Sequence, residues 1–194
     1  MKMKRVIAWS LCLCIVMSFF TFSVSAADEI STFGITMSGF KGGAKESDVT
    51  FSPDNTCNTA QILTFLWRVA GSPTVTKPFP YADVYESDYF YMAAQWAKKK
   101  DMIEHYALYP NYSCNRMMAV YYIWCAAGKP SCKTPLKFTD TKDSSYEKYY
   151  EAIAWAVDNG ITNGTSDTTF SPGNTCTRAQ IVTFLWRAAQ KGLI

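Results

Sequence analysis

The chain has 194 residues, 48% hydrophobic and 15% aromatic with only 18% charged, enough for one domain with a real core. Its formal net charge of +3 rests on Lys2, Lys4 and Arg5, so the rest of the chain is neutral and supports neither nucleic acid nor an anionic membrane surface as a partner. With one histidine and no CxxC, HExxH, GxSxG or P-loop pattern, it carries no metal, cofactor or enzyme signature.

In chain order, residues 1–26 read as an export signal. Three basic residues precede an apolar run from Val6 to Phe22, and Val24-Ser25-Ala26 supplies small residues for cleavage. The run is broken by serines and is marginal for a bilayer, so no membrane span is expected after cleavage. Five cysteines then remain, at 57, 114, 125, 132 and 176. An odd count argues against a full disulfide framework.

The clearest signal is repetition. FSPDNTCNTAQILTFLWRVA at 51–70 returns at 170–189 as FSPGNTCTRAQIVTFLWRAA, and LYPNYSCNRMMAVYYIWCAA at 108–127 aligns with both without gaps. Cys57, Cys114 and Cys176 share one position, and Trp67, Trp124 and Trp186 another. Such periodicity predicts three tandem units packed against each other. Each cysteine begins a repeated helix and is expected to be a small buried apolar residue.

The first unit spans 27–73. It is truncated, with too little chain before Gly34-Ile35-Thr36 for a full first helix, and a long loop at 37–50 that is expected to be mobile. The second, 79–130, is degenerate: Phe90, Ala93, Ala94 and Ala97 trace its first helix, its loop is shortened, and Met118 stands where the others have glutamine. The third, 136–190, is the clearest. Tyr149, Ala152, Ile153, Ala156 and Val157 form a helical stripe ending at Asn159-Gly160, with Gly160 a left-handed terminator. ITNGTSDTTFSPGNTC follows as a structured loop. A second helix starts at Thr177, whose spacing to Gln180 is that of a capping box, and buries Ile181, Phe184, Leu185 and Ala188. The fold class is all-α, built from helix-loop-helix units.

These motifs resemble the S-layer homology (SLH) repeat: aromatic-x-Asp openings at 81–84 and 138–141, a tryptophan-bearing helix, a Gly-Ile turn, F-S-P, and T-R-A-Q at 177–180. The resemblance implies a pseudo-threefold helical prism of three repeats. It also implies a wall anchor that binds a secondary cell-wall polysaccharide, often pyruvylated, on the bacterial surface. Arg178 corresponds to the arginine of the family motif and Arg116 to its counterpart, while the first unit has Thr59 there.

Arg178, in the first turn of a helix capped by Thr177, sits where free N–H groups and the dipole favour an anion, and its guanidinium can grip a carboxylate in two bonds. An ordinary structural arginine is the alternative, and for Arg116 the two readings stand level. Asn163, Gly164 and Thr165, in a loop expected to face a neighbouring helix start, offer polar groups to a sugar, although turn chemistry also explains them. Trp96 and Trp155 are candidates to stack on a pyranose, although their register beside apolar stripes favours packing. Trp67, Trp124 and Trp186 are expected in the core, and Arg68 and Arg187 as structural ion-pair partners. The tyrosines crowding 81–122 either line a sugar surface or patch the core. Asp83 and Asp140, equivalent in two units, suggest a repeat-building role, such as capping the first helix.

The leading reading is therefore a non-catalytic wall-anchoring module, exported to the cell surface, with no cofactor or metal. The alternative is an envelope scaffold with degenerate glycan sites that meets a protein partner. An enzyme using paired aspartates ranks third.

Overall fold

The computed structural model describes residues 51–194. The export signal, the truncated first helix and the 37–50 loop lie outside these residues. Among the described residues there are five α-helices: α1 (Thr59–Val69), α2 (Tyr91–Lys99), α3 (Arg116–Ala126), α4 (Tyr150–Asp158) and α5 (Arg178–Gln190). No strand occurs among the described residues. Two short 3-10 helices, Thr139–Thr141 and Ser144–Tyr149, precede α4. Sequence periodicity does not reveal them, because their residues are mostly exposed.

Helices α1, α3 and α5 start alike. The Asn58, Asn115 and Thr177 side chains each accept a hydrogen bond from the N–H three residues on, and Gln61 and Gln180 reach back to complete capping boxes. Met118 cannot reach back, so α3 has half a box. The α4 stripe ends as expected, with Gly160 at φ 63°, and Asp101 takes the same left-handed conformation at the end of α2 with φ 52°.

The three related segments meet through their cysteines. Cys57 N–H donates to Cys176 C=O (2.9 Å), Cys176 N–H to Cys114 C=O (2.9 Å), and Cys114 N–H to Cys57 C=O (2.8 Å). One bond made three times, head to tail, closes a ring. A side chain at this junction must be small and apolar, and all three cysteines are free and buried. Around the ring, α1, α3 and α5 touch pairwise, α2 packs on α1, and α4 packs on α3. Thus α2 covers the helix before it, α1, and α4 covers the helix before it, α3. The core between them includes Ile62, Phe65, Val120, Ile153, Ile181 and Leu185.

Trp124 is buried, Trp67 is half-buried against the core, and Trp186 is half-buried. The indole N–H of Trp67 donates to Pro73 C=O and that of Trp124 to Pro130 C=O, both at 2.9 Å, which fixes the proline turns between units. Arg187 donates to the Ile161 carbonyl (3.1 Å), so a backbone carbonyl takes the place expected for an acid.

Burial pushes the Cys57 thiol up to about 12, with nearby Arg178 opposing in part, and the Cys176 thiol to about 11; Cys114 is also raised well above its ordinary value by burial. The folded state therefore holds these protons more tightly than the unfolded chain. Their contribution is fully present below pH 9 and is lost as pH rises from 9 towards 12. The urea midpoint is expected to fall through this window, each thiol approaching a slope of about 1.4 kcal/mol per pH unit. Chemical denaturation at stepped pH checks this, and a flat profile up to pH 11 would contradict it.

Candidate functional site

Each helix that follows the cysteine ring docks its N-terminus on the F-S-P-type loop of another segment. Thr59 N–H donates to Tyr112 C=O and Ala60 N–H to Pro110 C=O; Arg116 to Asn174 and Met117 to Pro172; Arg178 to Asn55 and Ala179 to Pro53. The distances are 2.9–3.1 Å. With the third N–H taken by the cap side chain, the first turn of each helix is satisfied within the chain. This corrects the expectation of free N–H groups at the start of α5: the dipole remains, but those donors already have acceptors.

The arginines make the same junctions. Arg116 Nε donates to Phe170 C=O (2.9 Å) and Nη2 to Thr162 Oγ1 (3.1 Å), and its guanidinium carbon lies 5.0 Å from the centre of the Phe170 ring and 5.6 Å from that of Phe184. Arg178 Nε donates to Phe51 C=O (2.8 Å), with its guanidinium carbon 5.0 Å from the Phe51 ring centre and 5.5 Å from Phe65. Both residues are buried, at 6% and 7% exposure. Burial lowers both pKa values, opposed by Cys176 and Asp140 for Arg116 and by Cys57 and Tyr89 for Arg178. A guanidinium stays charged at any physiological pH, so each of these junctions holds a permanent cation between aromatic faces. Arg116 Nη1 makes no hydrogen bond among the described residues.

The other half of the junction is built by aspartates. Asp140 accepts from the N–H groups of Phe170 (2.9 Å) and Ser171 (2.7 Å), and Asp83 from those of Leu108 and Tyr109 (2.7 Å each). Their role is repeat-building, as their equivalence suggested, but each clamps the distant loop instead of capping the first helix. The clamp secures a costly conformation: Tyr109 and Ser171 occupy the left-handed region at φ 54° and 58°. Residue 170 is thus held by Asp140 at its N–H and by Arg116 at its C=O.

The remaining candidates divide between junctions. The loop carrying Asn163, Gly164 and Thr165 meets the start of α3, where Thr162 bonds Arg116; this brings Arg116 to that loop and leaves Arg178 with Phe51 at another junction. Asn163 and Thr165 are exposed. Thr165 Oγ1 is 2.7 Å from Ser171 Oγ and 3.0 Å from Thr169 Oγ1, so it ties the loop to itself. Thr177 is the α5 cap and bonds Gln180. Trp96 and Trp155 are 3% and 4% exposed, which packs them into the core and presents no ring face for a sugar.

Gly164 is required by shape. It lies at φ 85°, and a Cβ there would sit 2.6 Å from Thr169 O and 2.7 Å from Phe138 Cε1. Gly164→Ala is expected to cost about 2–4 kcal/mol through the clash and the left-handed backbone. Thermal melting measures the loss, and an unchanged midpoint would refute this account.

The geometry defines a class: an all-helical protein whose related segments close on one another through buried arginines and loop-clamping aspartates. In agreement, residues 137–182 match the S-layer homology domain, a non-catalytic, cell-surface module that anchors proteins to the wall by binding secondary cell-wall polymers. Among curated proteins, none matches the chain. No described helix is long and apolar enough to cross a membrane.

Proposed function

We propose that the chain is a non-catalytic wall-anchoring module. In this reading three S-layer homology repeats, the first truncated, surround the cysteine ring as a pseudo-threefold prism and act after export at the bacterial surface. An anionic secondary cell-wall polysaccharide, such as a pyruvylated one, lies in the grooves between repeats. Arg116 and Arg178 supply the charge, and Asn163, Gly164 and Thr165 supply polar groups beside Arg116.

The observation that carries this reading is the Arg116 junction, within and beside the matched segment. Its guanidinium is pre-positioned by Phe170, Phe184 and Thr162, and its Nη1 makes no hydrogen bond among the described residues. A carboxylate placed there meets a cation that needs no reorganisation. Binding is tested by retention on purified wall polymer before and after mild-acid removal of its acidic substituents. Strong retention lost on removal supports the reading, and equal retention on both defeats the anionic mechanism.

The burial of both arginines favours a second reading. If their role is only to join units, the module is an envelope scaffold with worn glycan sites, and its partner is another envelope protein. Absence of retention on intact polymer, with co-purification of one protein from stripped walls, would select it.

A further inference from the structure

At the third equivalent junction the arginine is missing. Thr59 donates its N–H to Tyr112 C=O (2.9 Å), as Arg116 and Arg178 donate theirs to Asn174 and Asn55. By register, the two rings beneath each guanidinium have Leu108 and Tyr122 as counterparts. Threonine is too short to cover them. A cavity of about 160 Å³ opens there, bounded by Thr59, Leu108 and Tyr122 and flanked by Tyr109, Tyr112 and Tyr149.

Three features specify what fits. The Leu108 carbonyl, counterpart of those that accept an arginine Nε, accepts no hydrogen bond among the described residues. The rings of Tyr109 and Tyr112 are stacked with centres 5.2 Å apart and are 51% and 67% exposed, so these tyrosines do not patch the core. The charges that line the cavity neutralise each other: Lys148 Nζ is 2.7 Å from Glu104 Oε1 and lies over the rings of Tyr121 and Tyr149. An acid therefore meets no uncommitted cation of the kind Arg116 presents, and a second cation would meet Lys148 already in the aromatic site.

We propose that this cavity is a subsite for an uncharged pyranose, whose hydroxyl donates to the Leu108 carbonyl and whose apolar ring face lies on the tyrosines. The inference rests on the wall-glycan reading for the source of the sugar. It adds a neutral-sugar site to grooves that select acidic substituents.

The test titrates the full chain with methyl β-glucoside, N-acetylglucosamine, glucuronate and agmatine, read by NMR shifts of the tyrosine rings. Saturable binding of a neutral sugar is expected, insensitive to salt. Thr59→Arg, which fills the cavity with its own guanidinium, should abolish it, and Tyr112→Ala should weaken it about fivefold or more without unfolding the exposed site. Absence of saturable neutral-sugar binding, unchanged affinity in both variants, or preference for agmatine or glucuronate would each overturn the inference. Wild-type polymer retention is read separately: if it persists while methyl β-glucoside and N-acetylglucosamine fail to bind, this inference alone fails. If these sugars bind but retention does not depend on acidic substituents, the anionic mechanism alone fails.

Discussion

Arg116→Ala is expected to reduce retention on acidic wall polymer about 10- to 100-fold, the equivalent of about 1.5–3 kcal/mol for a lost charge-assisted contact. Arg178→Ala should act in the same direction, because its guanidinium is held in the same way, by a neighbouring carbonyl and two phenylalanine rings. The two junctions involve different loops, so the losses should be roughly additive. The alanine variants also leave a buried carbonyl without its donor, at a cost of about 1–3 kcal/mol of stability. Retention must therefore be measured at a temperature where circular dichroism shows each variant folded. Arg116→Lys separates the roles: it keeps a cation but loses the planar fork that serves Phe170 and Thr162 together. Partial retention by the lysine variant is expected. Full retention by folded Arg116→Ala would show that the arginine only joins the segments.

Asp140→Ala should be the most damaging single change to stability. The carboxylate makes two short bonds to consecutive N–H groups and holds Ser171 at φ 58°. Losing two charge-assisted bonds costs about 3–5 kcal/mol, or about 6–20 °C in midpoint for a chain of this size. Asp140→Asn should recover little, since its amide can present an acceptor to one N–H but an NH₂ to the other. Asp83→Ala should follow the same pattern at Leu108 and Tyr109, with a smaller effect because no arginine secures the other side of residue 108. A midpoint shift under 3 °C in Asp140→Ala, measured by calorimetry, would mean that the loop holds its shape unaided.

Both predictions concern contacts between residues far apart in sequence. Capping and helical stripes are different, because they join residues three or four apart. The capping box at Thr177 and Gln180, the stripe of α4 and the left-handed Gly160 are therefore legible in order, and each is present. Register worked equally well at the cysteines: alignment alone placed Cys57, Cys114 and Cys176 together, and they form the ring. The short 3-10 turns before α4 escaped, having no buried stripe to announce them.

The candidate site was less readable. Alignment marked Arg116, Arg178 and Thr59 as equivalent positions, and that equivalence holds in the backbone. Which loop each side chain meets is not a local property. The loop of Asn163, Gly164 and Thr165 was expected to face a neighbouring helix start, and Arg116 reaches it from one, 46 residues away at Thr162. The tyrosines of 81–122 had two readings, and exposure divides them: Tyr121 and Tyr122 are buried, while Tyr109 and Tyr112 stand in solvent.

By itself, the sequence determined the all-helical class, the start of α5, the end of α4 and the register of the three related segments, because caps, stripes and repetition act over a few residues or by alignment. Only the tertiary structure decided that helix N-termini are filled by neighbouring carbonyls, that aspartates clamp loops about 30 residues away, and that a threonine in place of an arginine opens a cavity. Those outcomes depend on closing the chain into a ring. There a donor takes whichever acceptor the packing brings within 3 Å, whatever its distance along the sequence.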